Sequence, residues 1–285
     1  SWPLERLANV PIFPVFEANP PPVFDGLDLS AYTTRKAKLR SPYLSYLFIL
    51  GCPYKCAFCG NESAQRPRHR PAGGVVRDLR FLRDRYDVRD FYFLNNMINT
   101  SDEVLVELVD AMEVADLGVR WVDCGRPANL SREMLARMAG VGCVELTWGI
   151  DTGSQRLHNL MRKGYRIDRA MQVLRDAYEV GIDNTVNLII GMPHETEEDF
   201  QETLKFVREH HSIIRSFAVH PYFYAYKSPV RNAPTKFGLR RKGNTYDEIG
   251  GVSWREHLRK RDDWVSRLRD EIDRLNGGRA PATCV

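Results

Sequence analysis

A chain of 285 residues with 43% hydrophobic and 27% charged residues is long enough for one large α/β domain with an appendage, and its composition is that of an ordinary globular protein. Its net charge of +4 comes from 41 basic residues interspersed with 37 acidic ones, a balance that does not point to nucleic acid as a partner. No apolar run approaches the ~20 residues a membrane helix needs, and no charged-then-apolar leader opens the chain; together with the six cysteines this suggests a reducing, cytoplasmic setting.

The first forty residues differ from the rest. Pro11-Ile12-Phe13-Pro14 and Asn19-Pro20-Pro21-Pro22 cannot be helix interior, because proline lacks the amide donor and clashes with the preceding turn. Residues 1–42 read as an extended arm or interdomain connection, with Phe13, Phe16 and Phe24 as anchors. A catalytic core is expected over 43–240 and a helical appendage over 241–285.

From residue 43 short apolar runs alternate with amphipathic stretches. The runs predict strands at 44–50, 90–95, 119–123, 143–149, 185–190 and 215–223. Helices are expected near 73–86, 102–116, 131–140, 154–162, 167–180 and 196–210, with starts at Ser101, Ser131 and Thr196 and stops near Gly118, Gly142 and Gly181. A last helix, about 253–275, carries Trp254, Leu258, Trp264 and Leu268 as its buried stripe. Strand then helix, six times over, implies parallel strands joined by right-handed crossovers. Periodicity alone does not separate an open three-quarter barrel from a doubly wound sheet. In both, the active site belongs at the C-terminal ends of the strands.

Just past the first strand stand Cys52, Cys56 and Cys59. Closely spaced thiolates on a loop can hold three corners of one iron–sulfur cube and leave the fourth iron open. A structural zinc site would want two close pairs of Cys or His, and Cys124, Cys143 and Cys284 are scattered. A disulfide framework suits small secreted domains rather than this chain. The other strand ends are polar or glycine-rich. They carry Asn95-Asn96, Gly149-Ile150-Asp151, and Asn187 through Gly191-Met192-Pro193-His194-Glu195-Thr196. By residue type alone Asn95-Asn96 is a turn, Asp151 a helix start, Lys163 a cation at a helix C-terminus, and Arg66 to Arg70 a solvated basic loop.

The Cys-x3-Cys-x2-Cys run, with Phe58 just before its last cysteine, resembles the radical S-adenosylmethionine (SAM) superfamily. Gly149-x-Asp151-x-Gly153-Ser154, Lys163-Gly164 and Gly191-x-Pro193-x-Glu195-Thr196 add to the likeness, which runs from about residue 20 to about 240. The resemblance implies a partial (β/α)6 TIM-like barrel of the radical SAM type. It implies a [4Fe-4S] cluster on Cys52, Cys56 and Cys59, and SAM cleaved reductively to a 5′-deoxyadenosyl radical. Phe58 and Gly191 would then flank the adenine, Asn95 and Asn96 face the amino group, Asp151 and Asn187 the ribose, and Lys163 the methionine carboxylate. No residue is singled out as catalytic toward the substrate.

In detail the chain is similar to the catalytic domain of cobalamin-binding-type radical SAM proteins, on Phe24-Asp25-Gly26-Leu27-Asp28-Leu29, Ser228-Pro229 and Pro234 through Gly238. The implied partners are a small-molecule or peptide substrate and an electron donor of flavodoxin or ferredoxin type. Methyl transfer would draw cobalamin from a missing or separate module, since this sequence has no Asp-x-His-x-x-Gly motif. The other reading is a non-catalytic iron–sulfur or metal-binding scaffold. It is kept open by the amides at Asn95-Asn96, where the family often has acids.

Overall fold

The computed structural model describes residues 19–32, 39–40, 42–60 and 67–277. Its first half runs β1 (Leu44–Tyr46), β2 (Ile49–Leu50), β3 (Arg68–His69), α1 (Ala72–Tyr86), β4 (Asp90–Phe93), α2 (Asp102–Ala115), β5 (Arg120–Gly125) and α3 (Arg132–Gly140). Next come β6 (Cys143–Asp151), α4 (Gln155–Leu160), α5 (Ile167–Glu179), β7 (Asp183–Ile190), α6 (Glu197–His210) and β8 (Ser216–Pro221). The chain continues through α7 (Pro229–Asn232), β9 (Leu239–Lys242), β10 (Thr245–Glu248) and α8 (Trp254–Leu275).

Six strands make one parallel sheet in the order β1-β4-β5-β6-β7-β8. The order never doubles back, as it would in a doubly wound sheet. The fold is therefore α/β, a partial (β/α)6 barrel. Side chains alternate between the two faces of each strand. On the outer face Phe91, Trp121, Trp148, Val186 and Leu188 are fully buried among the helices. The pair register puts Cys124, Thr147, Thr185 and Ser216 in one row of the inner face, and Gly149, Asn187 and Ala218 in the next.

The helix starts follow the sequence. Ser101, Ser131, Ser154 and Thr196 each accept a first-turn amide with the side chain, and Thr196 with Asp199 closes a capping box. The strand expected over 44–50 is broken instead. Only Leu44–Tyr46 joins the barrel; Ile49–Leu50 turns away to pair antiparallel with Arg68–His69. The basic cluster is accordingly only partly a solvated surface, since Arg68 is exposed but Arg70 is not. Arg70 is buried and ion-paired with buried Asp78 at 2.6 Å, and Tyr46 donates to the same carboxylate at 2.7 Å. In the arm, Phe24 sits edge-on to Tyr86 of α1 at 5.8 Å. Phe13, Phe16, Arg66 and Cys284 lie outside the described residues.

After the sixth strand the chain adds a hairpin, β9–β10, that periodicity does not reveal. Helix α8 lies across β8 and α6, stacking Trp264 on Phe200 at 5.0 Å. Its buried stripe is His257, Trp264, Val265, Leu268 and Ile272; Trp254 and Leu258 are only half-buried. His257 is drawn inward because the Tyr246 hydroxyl meets its Nε2 at 2.8 Å. Hairpin and helix together lock the turn after β7. Glu248 accepts from the His194 backbone N–H at 2.9 Å and faces the His194 ring at 3.4 Å. Arg261 lies against Gly191, which has φ +86°, and a Cβ there would come within 2.2 Å of its Cγ.

Two outcomes follow. Gly191→Ala combines a left-handed backbone with that clash, so it should destabilise the fold by about 1–3 kcal/mol; an unchanged urea midpoint would contradict the packing. Burial resists ionisation of Glu248, but hydrogen bonds from His194 and His257 hold its carboxyl well below the usual range. The Glu248 hydrogen bond in turn raises the His194 pKa, against burial. A raised histidine stabilises fully below its unfolded value of about 6.5, and the gain fades as pH climbs through the folded value. A depressed glutamate stabilises above its unfolded value of about 4.3. The stability gap between wild type and Glu248→Gln should therefore be widest from about pH 4.5 to 6.5 and narrow toward alkaline pH. A gap independent of pH in denaturant titrations would rule out the ionic pair.

Candidate active site

The three cysteines owe their position to the end of the neighbouring strand. Directly after β4, the Asn95 carbonyl oxygen accepts from the backbone N–H groups of Phe48 and Ile49, at 3.1 and 2.8 Å. Its amide nitrogen donates to buried Asp123 at 2.7 Å. Asn96 accepts from Gly51 N–H at 3.0 Å. These bonds end β1 early and hold residues 48–51 immediately ahead of Cys52. Burial pushes the Asp123 pKa well up, against the hydrogen bonds from Asn95 and the Cys124 N–H. The Asn95 side-chain amide is thus committed inside the protein, which leaves the main-chain carbonyls of Asn95 and Asn96 as the groups this strand end could offer an amino group.

The far side of the loop is pinned as firmly. Ala57 N–H donates to Met161 O at 2.8 Å, and Val230 N–H donates to Ala57 O at 3.0 Å. Gly60 follows the last cysteine because a Cβ there would lie 2.4 Å from the Tyr226 carbonyl. Cys52, Cys56 and Cys59 are half-buried and in no disulfide. Among the described residues no three His, Cys, Asp or Glu side chains gather about one point as ligands of a single ion. Thiolates on an iron–sulfur cube each bind a different iron, and three free thiols on one loop could supply three corners.

Beneath this loop β6 ends in a bulge between Gly149 and Asp151. Asp151 has φ +69°, and Lys163 bonds to its carboxylate at 2.5 Å with both side chains buried. The Lys163 ammonium is 5.7 Å from the centre of the Phe58 ring. Burial works against its charge, but Asp151 overrides this and holds the Lys163 pKa above the usual lysine value. Tyr165 closes the shelf by donating to Gly149 O at 2.6 Å. Phe58, Asp151 and Lys163 are thus brought together. Asn187 stands on the inner face of the adjacent strand, half-buried, with the His220 ring 3.4 Å from its amide oxygen.

On its Cβ side Gly191 is packed against Arg261 of α8, so the glycine is required by the helix as well as being a candidate for close backbone approach to a ligand. Its motif partner Glu195 is also internal, accepting from the Gly191 and Met192 N–H groups at 2.6 and 2.9 Å. Burial raises its pKa to about 8. Sequence reasoning missed Arg126. It lies just past β5, the strand-end position that drew attention elsewhere, and Asn99 binds both its backbone N–H and its carbonyl at 2.9 Å. The guanidinium covers the Tyr54 ring at 3.6 Å and the Tyr165 ring at 4.7 Å. Burial pushes the Cys52 thiol up and Arg126 acts against that. The donor set is three thiols with two cations beside them, a fitting cradle for an anionic thiolate cluster.

Asn95→Ala should strand three buried polar groups. At about 1–3 kcal/mol for each, it should cost several kcal/mol in urea unfolding and lower the iron retained after anaerobic reconstitution. Wild-type stability and iron content together would dismiss the bracing role.

Comparison with known proteins agrees with this geometry. The family model of the radical SAM superfamily matches residues 46–207. The chain is 23% identical over 192 residues to the uncharacterized methyltransferase PH0819 of Pyrococcus horikoshii, covering 67% of this chain and 41% of that protein. It is 29% identical over 196 residues to the tRNA-2-methylthio-N(6)-dimethylallyladenosine synthase of Mycolicibacterium gilvum, covering 60% and 37%. The fold is like that of the radical SAM methyltransferase TsrM of Kitasatospora setae, solved with cobalamin and a [4Fe-4S] cluster bound. The TM-score is 0.57 at 20% identity, over 70% of this chain and 41% of that one. The chain thus spans less than half the length of these relatives. The matched segment begins on β1, ends in α6 and takes in the cysteine loop and the shelf below it; the chain belongs to the radical SAM superfamily.

Proposed function

We propose that Cys52, Cys56 and Cys59 hold a [4Fe-4S] cluster, that SAM binds against Phe58, Asp151, Lys163 and Asn187, and that a small-molecule or peptide substrate enters the barrel mouth. Bound together, cluster and SAM supply a one-electron reductive cleavage that yields a 5′-deoxyadenosyl radical, the electron coming from a flavodoxin or ferredoxin-type donor. The observation that carries this reading is the buried Lys163–Asp151 pair, set against Phe58 and beneath the three cysteines. Lys163 has three N–H donors and Asp151 uses one, leaving two for a carboxylate. The second Asp151 oxygen can accept from a ribose hydroxyl. Phe58 offers a ring face to a flat base, and Asn187 an amide from the inner wall. Asn95 and Asn96 act through the loop that they brace. Because their amides have structural duties, their replacement of the family's acids no longer speaks for a non-catalytic scaffold.

The names of several relatives support methyl transfer, with cobalamin supplied by a module in trans or elsewhere in a longer protein. Residues up to about 42 then serve as an arm or interdomain connection, 43–240 as catalytic core and 241–285 as helical appendage.

Anaerobic reconstitution with iron and sulfide, followed by dithionite and SAM, is the test. 5′-Deoxyadenosine and methionine should form, and a protein that retains a cluster yet forms neither would refute the proposal. Replacing any one of the three cysteines by Ala should abolish the visible cluster absorbance. Lys163→Ala removes a charged hydrogen bond of about 1.5–3 kcal/mol and should weaken SAM binding more than tenfold. Cluster absorbance retained in that variant separates lost binding from collapse caused by the unpaired Asp151.

A further inference from the structure

A second cavity lies beside the barrel mouth rather than in it. Its walls are the end of α4, the turn after β7, and the segment from Val230 to Gly238. No residue of the barrel's inner face lines it. At about 430 Å³ it is within the usual range of small-ligand pockets, about 300–1,000 Å³. Met192, Val230 and Phe237 give it an apolar floor, with Met192 and Val230 almost fully buried.

Its charge is one-sided. Arg156, Arg162, Lys236 and His194 line the cavity, and no carboxylate does. Two of these are engaged elsewhere. Arg156 bonds to Asp199 at 3.0 Å and to the His194 carbonyl at 2.7 Å, and the His194 ring faces Glu248. Arg162 and Lys236 are exposed, and neither pairs with a carboxylate among the described residues. The Arg162 guanidinium lies 4.5 Å over the Phe237 ring, which fixes it on the cavity wall. The Asn159 oxygen is occupied by Gln155, so its amide N–H groups are what it can offer a ligand.

Two uncompensated cations above an apolar floor match a ligand with two negative charges on one small group and an apolar body behind it. A phosphate monoester has that form. The planar fork of Arg162 suits two phosphate oxygens, Lys236 adds a point charge, and the body covers Phe237 and Met192. We propose that this cavity binds an organic phosphate monoester, next to the cofactor shelf and separate from it. The site touches the shelf through the chain itself, since Arg162 stands between Met161, which holds the cysteine loop, and Lys163. Binding here needs no turnover, so it stands or falls apart from the radical chemistry.

The test is calorimetric titration of the full chain, reconstituted anaerobically, with phenyl phosphate, benzoate, phenol and inorganic phosphate. Phenyl phosphate should bind, and the double variant Arg162→Gln, Lys236→Gln should bind it at least about tenfold more weakly. Circular dichroism and the urea midpoint of the variant should match wild type. If the double variant misfolds, Lys236→Gln alone, on an exposed turn, should still weaken binding severalfold. Benzoate and inorganic phosphate should bind more weakly than phenyl phosphate, and phenol not at all. No heat from phenyl phosphate at millimolar concentration, or equal affinity in a folded variant, would overturn the site. Benzoate equal to phenyl phosphate would overturn the dianion, and inorganic phosphate equal to it would overturn the role of the apolar floor.

Discussion

Three hydrogen bonds of one asparagine decide where the reactive loop begins. The amide of Asn95 takes two backbone donors from residues 48 and 49 and gives its own to Asp123. A strand that continued to residue 50 would carry the cysteines along the sheet. The chain leaves it after Tyr46, because those donors find a side chain instead of the next strand. A buried backbone N–H without a partner costs as much as a lost hydrogen bond, so the break is stable only while Asn95 is present. A carboxylate there could accept the same two bonds but could not donate to Asp123.

The shelf under the loop relies on a different force. Lys163 and Asp151 are both taken out of water, which is expensive for each ion alone and tolerable only as a close pair. The pair fixes a cation near the half-buried cysteines, and Arg126 adds another over the same Tyr165 ring that Lys163 faces. Tyr54, Tyr165 and Phe58 spread around these cations, so that Arg126 is held by ring faces while Lys163 is held by Asp151 as well. Arg126 leaves a positive charge acting on the Cys52 thiol.

The C-terminal hairpin and helix are part of the same construction. Through Arg261 on Gly191, Lys260 on the Glu195 carbonyl at 2.7 Å and Glu248 on His194, they hold the turn that follows the fifth barrel strand. That turn supplies the wall between the mouth and the neighbouring cationic cavity. The Gly-Met-Pro-His-Glu-Thr run, which resembles a cofactor motif in sequence, is in the folded protein also the joint between barrel, hairpin and helix.

The amino-acid sequence by itself determined the strand–helix alternation, the helix caps and the cysteine loop, because these depend on local periodicity, capping chemistry and spacing along the chain. It also marked Asp151 at the end of β6, while Lys163 beyond α4 and Phe58 in the cysteine loop were marked by the family resemblance. Tertiary structure decided what each strand-end residue faces. Asn95 and Gly191 look like ligand positions in sequence, and packing adds structural partners, Asp123 and Arg261, that lie 28 and 70 positions away. Arg126 and the Arg162–Lys236 cavity are assembled from segments distant in the chain. A residue type states which bonds a side chain can make; only packing states which partner arrives first.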